Sequence, residues 1–349
     1  MYTEFYKFSG RPFNLTPDHR FFYGSQTHKR AMAYLVYGLN AAEGFVVVTG
    51  DIGTGKSTLV DHLLSLIDGS QYVAAKVVTT QIDANDTLRM VASAFGIQQE
   101  GADKATLLRR LESFLISSHK AGRRILLFID ESQNLPAPSL EELRMLSNIQ
   151  ISGVSPLQVF LLGQPQFRNT LGREDLVQLR QRVIASHHLA PMDAGETRSY
   201  VEHRLHLVGW NNDPEFMPEA FSKIYEYTSG VPRQINLLCS RILMYGMLEG
   251  QHRITGDTVE RVRREMMEEI ALDPRPLPGQ DAAGNNGQRI REGGTEADRV
   301  LAIEARVDKL EKRMSVQHRL MERTLGLAAQ WMEMQAGDGD RPENGGKPA

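Results

Sequence analysis

Two clusters of residues in this 349-residue chain have the types and spacing needed to act on phosphate esters. The first is Gly50-Asp51-Ile52-Gly53-Thr54-Gly55-Lys56-Ser57, which fits the pattern G-x-x-x-x-G-K-[ST]. Glycines at 50, 53 and 55 are expected to adopt backbone angles closed to other residues and to let N–H groups close around phosphate oxygens. Lys56 supplies a mobile positive charge for the β- and γ-phosphates, and the Ser57 hydroxyl is a magnesium ligand. The whole run, with Thr58 after it, is the candidate nucleotide-binding set. The second cluster is Asp130-Glu131, about 75 residues further on and directly behind the apolar run Ile125-Leu126-Leu127-Phe128-Ile129. Asp130 would hold the magnesium ion, directly or through water, and Glu131 would polarise an attacking water as general base.

Such residues work only if rigid elements place them together. Gly44-Phe45-Val46-Val47-Val48-Thr49 reads as a buried strand leading into the loop, and residues 58–66 read as the helix leaving it, whose N-terminus adds a positive dipole end. Residues 72–80, 125–129 and 157–164 read as further strands. Residues 27–40, 86–95 and 104–119 read as helices, and Ser139-Leu140-Glu141-Glu142 reads as a capping box opening another. This alternation over residues 44–192 predicts an α/β domain: a parallel sheet with helices on both faces. From Asp193, itself an expected helix cap, the texture changes. Helical stretches at 194–208, 216–228, 232–249 and 255–270 carry no strand signal, so residues 193–270 are expected to form a small all-helical domain. Residues 1–43 form an N-terminal segment plus the first helix. Eight of the chain's aromatic residues fall within its first 23 positions. Such a load must pack against something, and part of it is expected to cover the base of a nucleotide.

Composition narrows the setting. A net charge of −3 marks neither a general nucleic-acid binder nor a membrane-surface binder. The single cysteine, Cys239, allows no disulfide within the chain and reads as a small buried apolar residue in a helix. The N-terminus lacks the basic patch and apolar run of a signal peptide, and no apolar run reaches the length of a membrane span. A cytoplasmic location is expected, with attachment to the inner membrane only through a partner.

Together these features resemble the AAA+ class of P-loop NTPases, and more closely the family of general secretion pathway protein A and its relatives, which include transposition ATPases. Three stretches carry the resemblance. They are Phe5-Tyr6…Pro12-Phe13…Thr16-Pro17-Asp18…Arg20-Phe21-Phe22-Tyr23…His28, then Asp130-Glu131-Ser132-Gln133-Asn134-Leu135, then Gly163-Gln164-Pro165 followed by Leu179-Arg180-Gln181-Arg182-Val183. The sequence looks most like the ATPases associated with exosortase and exopolysaccharide clusters of Gram-negative bacteria. Secretion protein A continues into a membrane span and a peptidoglycan-binding domain; this chain is expected to have neither. Ser132 departs from the usual Asp-Glu-Ala. The resemblance implies binding and hydrolysis of ATP with magnesium, and a helical lid at 193–270. It implies Gln164 as sensor 1, Arg233 in Gly230-Val231-Pro232-Arg233 as sensor 2, and Arg182 or Arg180 as an arginine finger for a neighbouring subunit of a homo-oligomer.

Beyond residue 270 the sequence reads as a linker at 271–295, a coiled-coil helix at 296–335 and a tail at 336–349. Val300, Ile303, Val307, Leu310, Met314, Gln317, Met321, Thr324, Ala328 and Trp331 alternate three and four apart, a heptad seam. Residues 300–331 are therefore the expected contact for a second copy or a protein partner, such as a membrane-bound polysaccharide or secretion component. Two rivals stand beside the ATPase reading. A DNA-associated transposition ATPase would need a DNA-binding element, and neither a helix-turn-helix signal nor a basic tail is present, so a nucleic-acid partner is not expected. A non-catalytic switch or scaffold would not need Glu131.

Overall fold

A computed structural model describes residues 1–272 apart from 17, 42, 80–83 and 152. The heptad seam, the tail and all but the first two residues of the expected linker lie outside the described residues.

In chain order the elements are α1 (Tyr2–Phe5), α2 (Gln26–Ala41), β1 (Phe45–Gly50), α3 (Lys56–Leu66), β2 (Tyr72–Val78), α4 (Ala84–Ala94) and α5 (Lys104–Lys120). Then come β3 (Arg124–Asp130), α6 (Ala137–Ser147), β4 (Leu157–Gly163), α7 (Phe167–Leu171), α8 (Val177–Gln181) and β5 (Val183–Leu189). The second half holds α9 (Ala194–His206), β6 (Glu215–Phe216), α10 (Pro218–Thr228), α11 (Pro232–Leu248), β7 (Arg253–Ile254) and α12 (Gly256–Leu272).

Strands β1 to β5 form one parallel sheet in the order β2-β3-β4-β1-β5. Because side chains alternate across a strand, β1, β3 and β4 send one set to each face. Val47, Leu127 and Leu161 join the core under α4, α5 and α6. Val48, Phe128 and Leu162 join the core with α2 and α3. Both faces are dry, which is why these strands read as unbroken apolar runs. The order has a direct consequence for chemistry. β4 lies between β1 and β3, so whatever follows β4 is held between the loop after β1 and the acidic pair after β3.

The helical half has its own core, and the N-terminal segment belongs to it. Tyr2, Tyr6, Phe8 and Phe13 are buried there beside Val201, Leu205, Ile242 and Leu243. The Tyr6 hydroxyl donates to the Gln251 carbonyl at 2.9 Å. Arg204 donates to the Pro12 carbonyl at 2.6 Å and to the Tyr200 hydroxyl at 2.7 Å, which donates on to Asn236 Oδ1 at 2.8 Å. The expected N-terminal unit 1–43 is thus divided: its first part packs with residues 193–270, while α2 covers the sheet.

Three readings of the sequence need correction, and one strand goes unread. The helical half is not wholly helical: β6 and β7 pair in parallel through Glu215↔Arg253 and Phe216↔Ile254, too few residues to show alternation. The Ser139 capping box does not form. α6 starts at Ala137, with Pro136 as its N-cap, and the buried Ser139 hydroxyl instead accepts from Thr87 at 2.8 Å. Helix α12 runs through Leu272, two residues into the expected linker. Finally, the sequence gives no strand signal for β5, because Ser186-His187-His188 interrupts its apolar pattern. By contrast, Asp193 caps α9 as expected, accepting from the Glu196 N–H at 2.8 Å, and Cys239 is fully buried.

Candidate functional site

The loop between β1 and α3 takes its shape from three glycines, for two different reasons. Gly53 (φ 85°) and Gly55 (φ 94°) are left-handed, which only glycine adopts cheaply. Gly50 is not left-handed, contrary to expectation. It is glycine for room: a Cβ there would lie 2.7 Å from the Leu189 carbonyl oxygen. Thr54 closes the turn, its hydroxyl donating to the Asp51 carbonyl at 2.8 Å. Ile52, at the loop's crown, is 61% exposed. Lys56 opens α3 and is buried, with Nζ donating to the carbonyls of Gly50 (2.7 Å) and Asp51 (3.0 Å). Burial lowers the pKa of this amine, opposed by the charges of Glu131, Asp130 and Asp51.

A buried histidine underpins the loop. His28 Nε2 lies 3.1 Å from the Thr54 carbonyl oxygen and Nδ1 lies 2.7 Å from Ser25 Oγ. A carbonyl can only accept, so Nε2 carries the proton and Nδ1 accepts from Ser25. Burial pulls the pKa of His28 down to about 4, so the ring is neutral near pH 7.

The acidic pair meets the loop from β3. Ser57 Oγ donates to Asp130 Oδ2 at 2.5 Å, and the other Asp130 oxygen accepts from the Glu131 N–H at 2.9 Å. Glu131 itself is left-handed (φ 55°), a conformation that costs a non-glycine residue about 1 kcal/mol or more. Surrounding bonds hold it there. Thr79 Oγ1 lies 2.9 Å from the Asp130 carbonyl oxygen and 2.8 Å from that of Glu131. The Glu131 carboxylate accepts at Oε2 from Gln133 Nε2 (2.6 Å) and Gln164 Nε2 (3.3 Å). Gln164 follows β4, so its place beside Glu131 comes directly from the strand order.

The opposite wall of the cleft comes from the helical half. Arg233, in the first turn of α11, donates its backbone N–H to the Gly53 carbonyl at 3.2 Å. A Cβ on Gly53 would lie 2.6 Å from the Cβ of Arg233. Gly230 fixes that approach: Met192 N–H donates to its carbonyl at 3.0 Å, and a Cβ there would lie 1.8 Å from the Met192 oxygen. Phe21, Phe22, Tyr23, Tyr200 and Asn236 line the same cleft as Lys56, Ser57, Thr58 and Glu131.

Arg180 and Arg182 stand apart from this gathering. They precede β5, whose other end meets Gly50, so about 20 Å of strand separates them from their own loop. Arg180 is exposed and donates to the Leu171 carbonyl at 3.2 Å, and the Arg182 guanidinium makes long bonds (3.4 Å) to Ser147.

Sequence alone assigns no role to His28, Thr79 or Gln133, although His28 and Gln133 fall inside the stretches that carry the family resemblance. Their partners are Thr54, the two carbonyls after β3, and Gln164, and no spacing rule links those positions. No described helix is long and apolar enough to cross a membrane.

The donor set can also be tested against a metal ion. No group of three or more His, Cys, Asp or Glu able to hold a metal occurs among the described residues. A magnesium ion needs no such group, because it takes one or two protein oxygens and completes its shell with phosphates and water. The adjoining Ser57 hydroxyl and Asp130 carboxylate fit that requirement.

A parallel sheet of this order, with a glycine-rich loop after β1, an Asp-Glu pair after β3 and a helical half facing both, defines a AAA+ P-loop protein. The chain carries a AAA domain. The AAA domain family matches residues 40–171. General secretion pathway protein A of Aeromonas hydrophila is 34% identical over 255 residues, 73% of this chain and 46% of that protein. The chain therefore spans about half the length of that curated relative. Among solved structures, the ORC2 protein of Aeropyrum pernix in ADPNP-ADP complexes aligns with a TM-score of 0.55 at 19% identity, over 69% of this chain and 67% of that one. Cdc6p from Pyrobaculum aerophilum aligns with a TM-score of 0.55 at 14% identity, over 78% of this chain and 74% of that one. At such identities the likeness is one of fold.

Proposed function

We propose that this chain binds ATP with magnesium in the cleft between the sheet tips and α11, and hydrolyses it to ADP and phosphate. The observation that carries this reading is the meeting of Lys56, the Ser57–Asp130 pair and the Gln164–Glu131 pair at neighbouring strand ends. The backbone N–H groups of residues 51–57 cradle the phosphates. Lys56 leaves its carbonyl partners for the β- and γ-phosphate oxygens. Ser57 and Asp130 would hold a magnesium ion, which would supply charge neutralisation when bound. Glu131 accepts the proton of the attacking water, whose oxygen bonds to the γ-phosphorus as the bond to the β-phosphate oxygen breaks. Gln164 orients that water, and Phe21, Phe22 and Tyr23 cover the base. Arg233 reports the nucleotide state to the helical half.

Arg182, with Arg180 beside it, serves the site of a neighbouring subunit. Their distance from their own loop supports action in trans, and an arginine there would neutralise transition-state charge. The protein is thus a homo-oligomer with active sites between subunits, and residues 300–331 contact a further copy or a protein partner. We place it in the cytoplasm, peripheral to the inner membrane through that partner. The process served is exopolysaccharide synthesis or export, or a related secretion assembly. The relative's name supports secretion, and the exopolysaccharide branch rests on sequence resemblance.

Steady-state ATP hydrolysis against protein concentration tests this, with Glu131→Gln as control. Turnover that rises faster than linearly and vanishes in the variant is the expected result. Bound ATP with equal residual rates in both proteins would sink the enzyme reading and leave a nucleotide switch.

A further inference from the structure

We infer that Gln133 is a positioning residue that joins the attacking-water side of the site to the general base. The inference rests on the ATPase reading above. The Gln133 side chain uses both ends at once. Its Oε1 accepts from the backbone N–H of Gln164 at 2.9 Å, and its Nε2 donates to Glu131 Oε2 at 2.6 Å.

The oxygen and nitrogen ends of a side-chain amide have nearly the same shape, but here chemistry fixes which is which. A backbone N–H can only donate and a carboxylate can only accept, so only one orientation satisfies both partners. The bridge also has room by construction. Residue 163, at the end of β4, is glycine, and a Cβ there would lie 3.2 Å from Gln133 Oε1 and 3.1 Å from the Phe167 Cβ. Gln133 sits in a short turn after β3, Ser132–Asn134, that is pinned at both ends. Ser132 Oγ donates to the Ile129 carbonyl at 2.9 Å, and Asn134 Nδ2 donates to the Thr79 carbonyl at 3.0 Å. The amide therefore hangs from a fixed backbone and has few other places to go.

The consequence is mechanical. Glu131 stands in a left-handed conformation with one carboxylate oxygen, Oε2, engaged by two amides. Gln133 thereby selects which oxygen is bound, and the other is left to face the water. Any displacement of the Gln164 backbone, the residue expected to touch the γ-phosphate, pulls on Gln133 Oε1 and is passed to the carboxylate. Gln164 thus reaches Glu131 by two routes, its own side chain and the Gln133 bridge. The shorter of the two contacts on Glu131 is the one from Gln133.

The test uses the full chain and reads kcat, KM for ATP and the pH profile of kcat for Gln133→Met and Gln133→Glu. Gln133→Met keeps length and shape but loses both polar ends. It should lower kcat by about 10-fold or more and leave KM within about 2-fold, because the base is misplaced and the phosphate cradle is untouched. Gln133→Glu keeps an acceptor for Gln164 but sets a second carboxylate against Glu131. Like charges favour protonation, so the acidic limb of its kcat profile should move to higher pH. A residue remote from the Glu131 carboxylate would not move that limb. A wild-type kcat with an unshifted profile in both variants overturns the inference, and so does a fall in kcat matched by an equal loss of ATP affinity. Should Gln133→Met fail to fold, Gln133→Asn, one methylene too short to reach both partners, takes its place and should show the same fall in kcat with KM within about 2-fold. Glu131→Gln separates the two levels. If it abolishes turnover while the Gln133 variants behave as wild type, the ATPase reading stands and the bridge falls. If it turns over as fast as the unaltered chain, both fall.

Discussion

The cleft has two walls, and they use polar side chains for opposite purposes. On the sheet wall, Lys56, Ser57, Asp130, Glu131 and Gln164 hydrogen-bond one another or nearby carbonyls at the open strand ends. On the helical wall, Arg204, Tyr200 and Asn236 form a buried chain that ties residues 12–14 to α9 and α11. The first group can change partners when a nucleotide arrives. The second is buried at the back of the cleft with its groups already paired to one another and to the chain's first residues, and gives them up only at a cost in stability. The sheet wall should therefore lose chemistry without losing stability, and the helical wall should do the reverse.

The largest effect should come from Glu131→Gln. On the proposed mechanism this removes the general base, which costs about 100- to 10,000-fold in turnover. The amide keeps shape, and no buried core is disturbed, so the unfolding midpoint in urea should stay near wild type. A large drop in that midpoint would break the contrast between the walls. Arg204→Met is the converse. Arg204 is 5% exposed, and its guanidinium also lies 4.8 Å from the Phe21 ring centroid. Methionine fills part of the space but strands the Pro12 carbonyl and takes from the Tyr200 hydroxyl the donor it accepts from, leaving it only its bond to Asn236. A hydrogen bond from a charged group is worth about 1.5–3 kcal/mol and two are lost, so several kcal/mol of stability should go. Urea unfolding measures it, and a loss under about 1 kcal/mol would mean that the strap is held by its aromatics alone.

The same division explains what can be read from the sequence. The sheet wall is legible because each of its groups sits at a fixed offset from an apolar run: the loop after 44–49, the acidic pair after 125–129, Gln164 after 157–163. The strand order that brings them together is not a local property, nor is the bridge from Gln133 to Gln164. On the helical wall, Arg204 finds Pro12 across most of the chain, and nothing in either neighbourhood announces the other. The eight early aromatics signal burial but not which core takes them. β5 stays hidden because an edge strand tolerates polar residues: His188 Nδ1 lies 3.2 Å from Thr49 Oγ1 and His187 Nε2 lies 3.4 Å from Thr27 Oγ1. Ser139 misleads because a capping box and a buried serine in a first helical turn look alike until their partners are known.

His28 lies at the boundary between the walls, and pH should reveal it. Its pKa in the folded chain is about 4, below the ordinary value near 6.5 for an exposed imidazole. The unfolded chain therefore takes up a proton that the folded chain refuses. The contribution of His28 is complete above about pH 6.5 and is lost progressively as pH falls towards 4, reaching about 3 kcal/mol. His28→Gln, which keeps a donor for the Thr54 carbonyl, should flatten the fall in stability between those limits. An unchanged slope would mean that other groups carry it.

The smallest effect sharpens the claim that the first residues belong to the helical half. Tyr6 is buried beside Phe5 and Phe8, and its hydroxyl is its only polar side-chain atom, spent on the Gln251 carbonyl just before β7. Tyr6→Phe keeps every ring contact and removes that single bond, so about 1 kcal/mol should be lost. If α1 merely rested on the helical core, losing one bond would leave amide exchange in β6 and β7 unchanged. If α1 is built into that core, exchange at Glu215 and Met217 should quicken, because their N–H groups donate to the carbonyls of His252 and Ile254, the stretch that follows Gln251. ATP turnover should not change, since no group on the sheet wall touches Tyr6. A change in turnover would instead mean that the N-terminal segment transmits strain across the cleft to the phosphate loop.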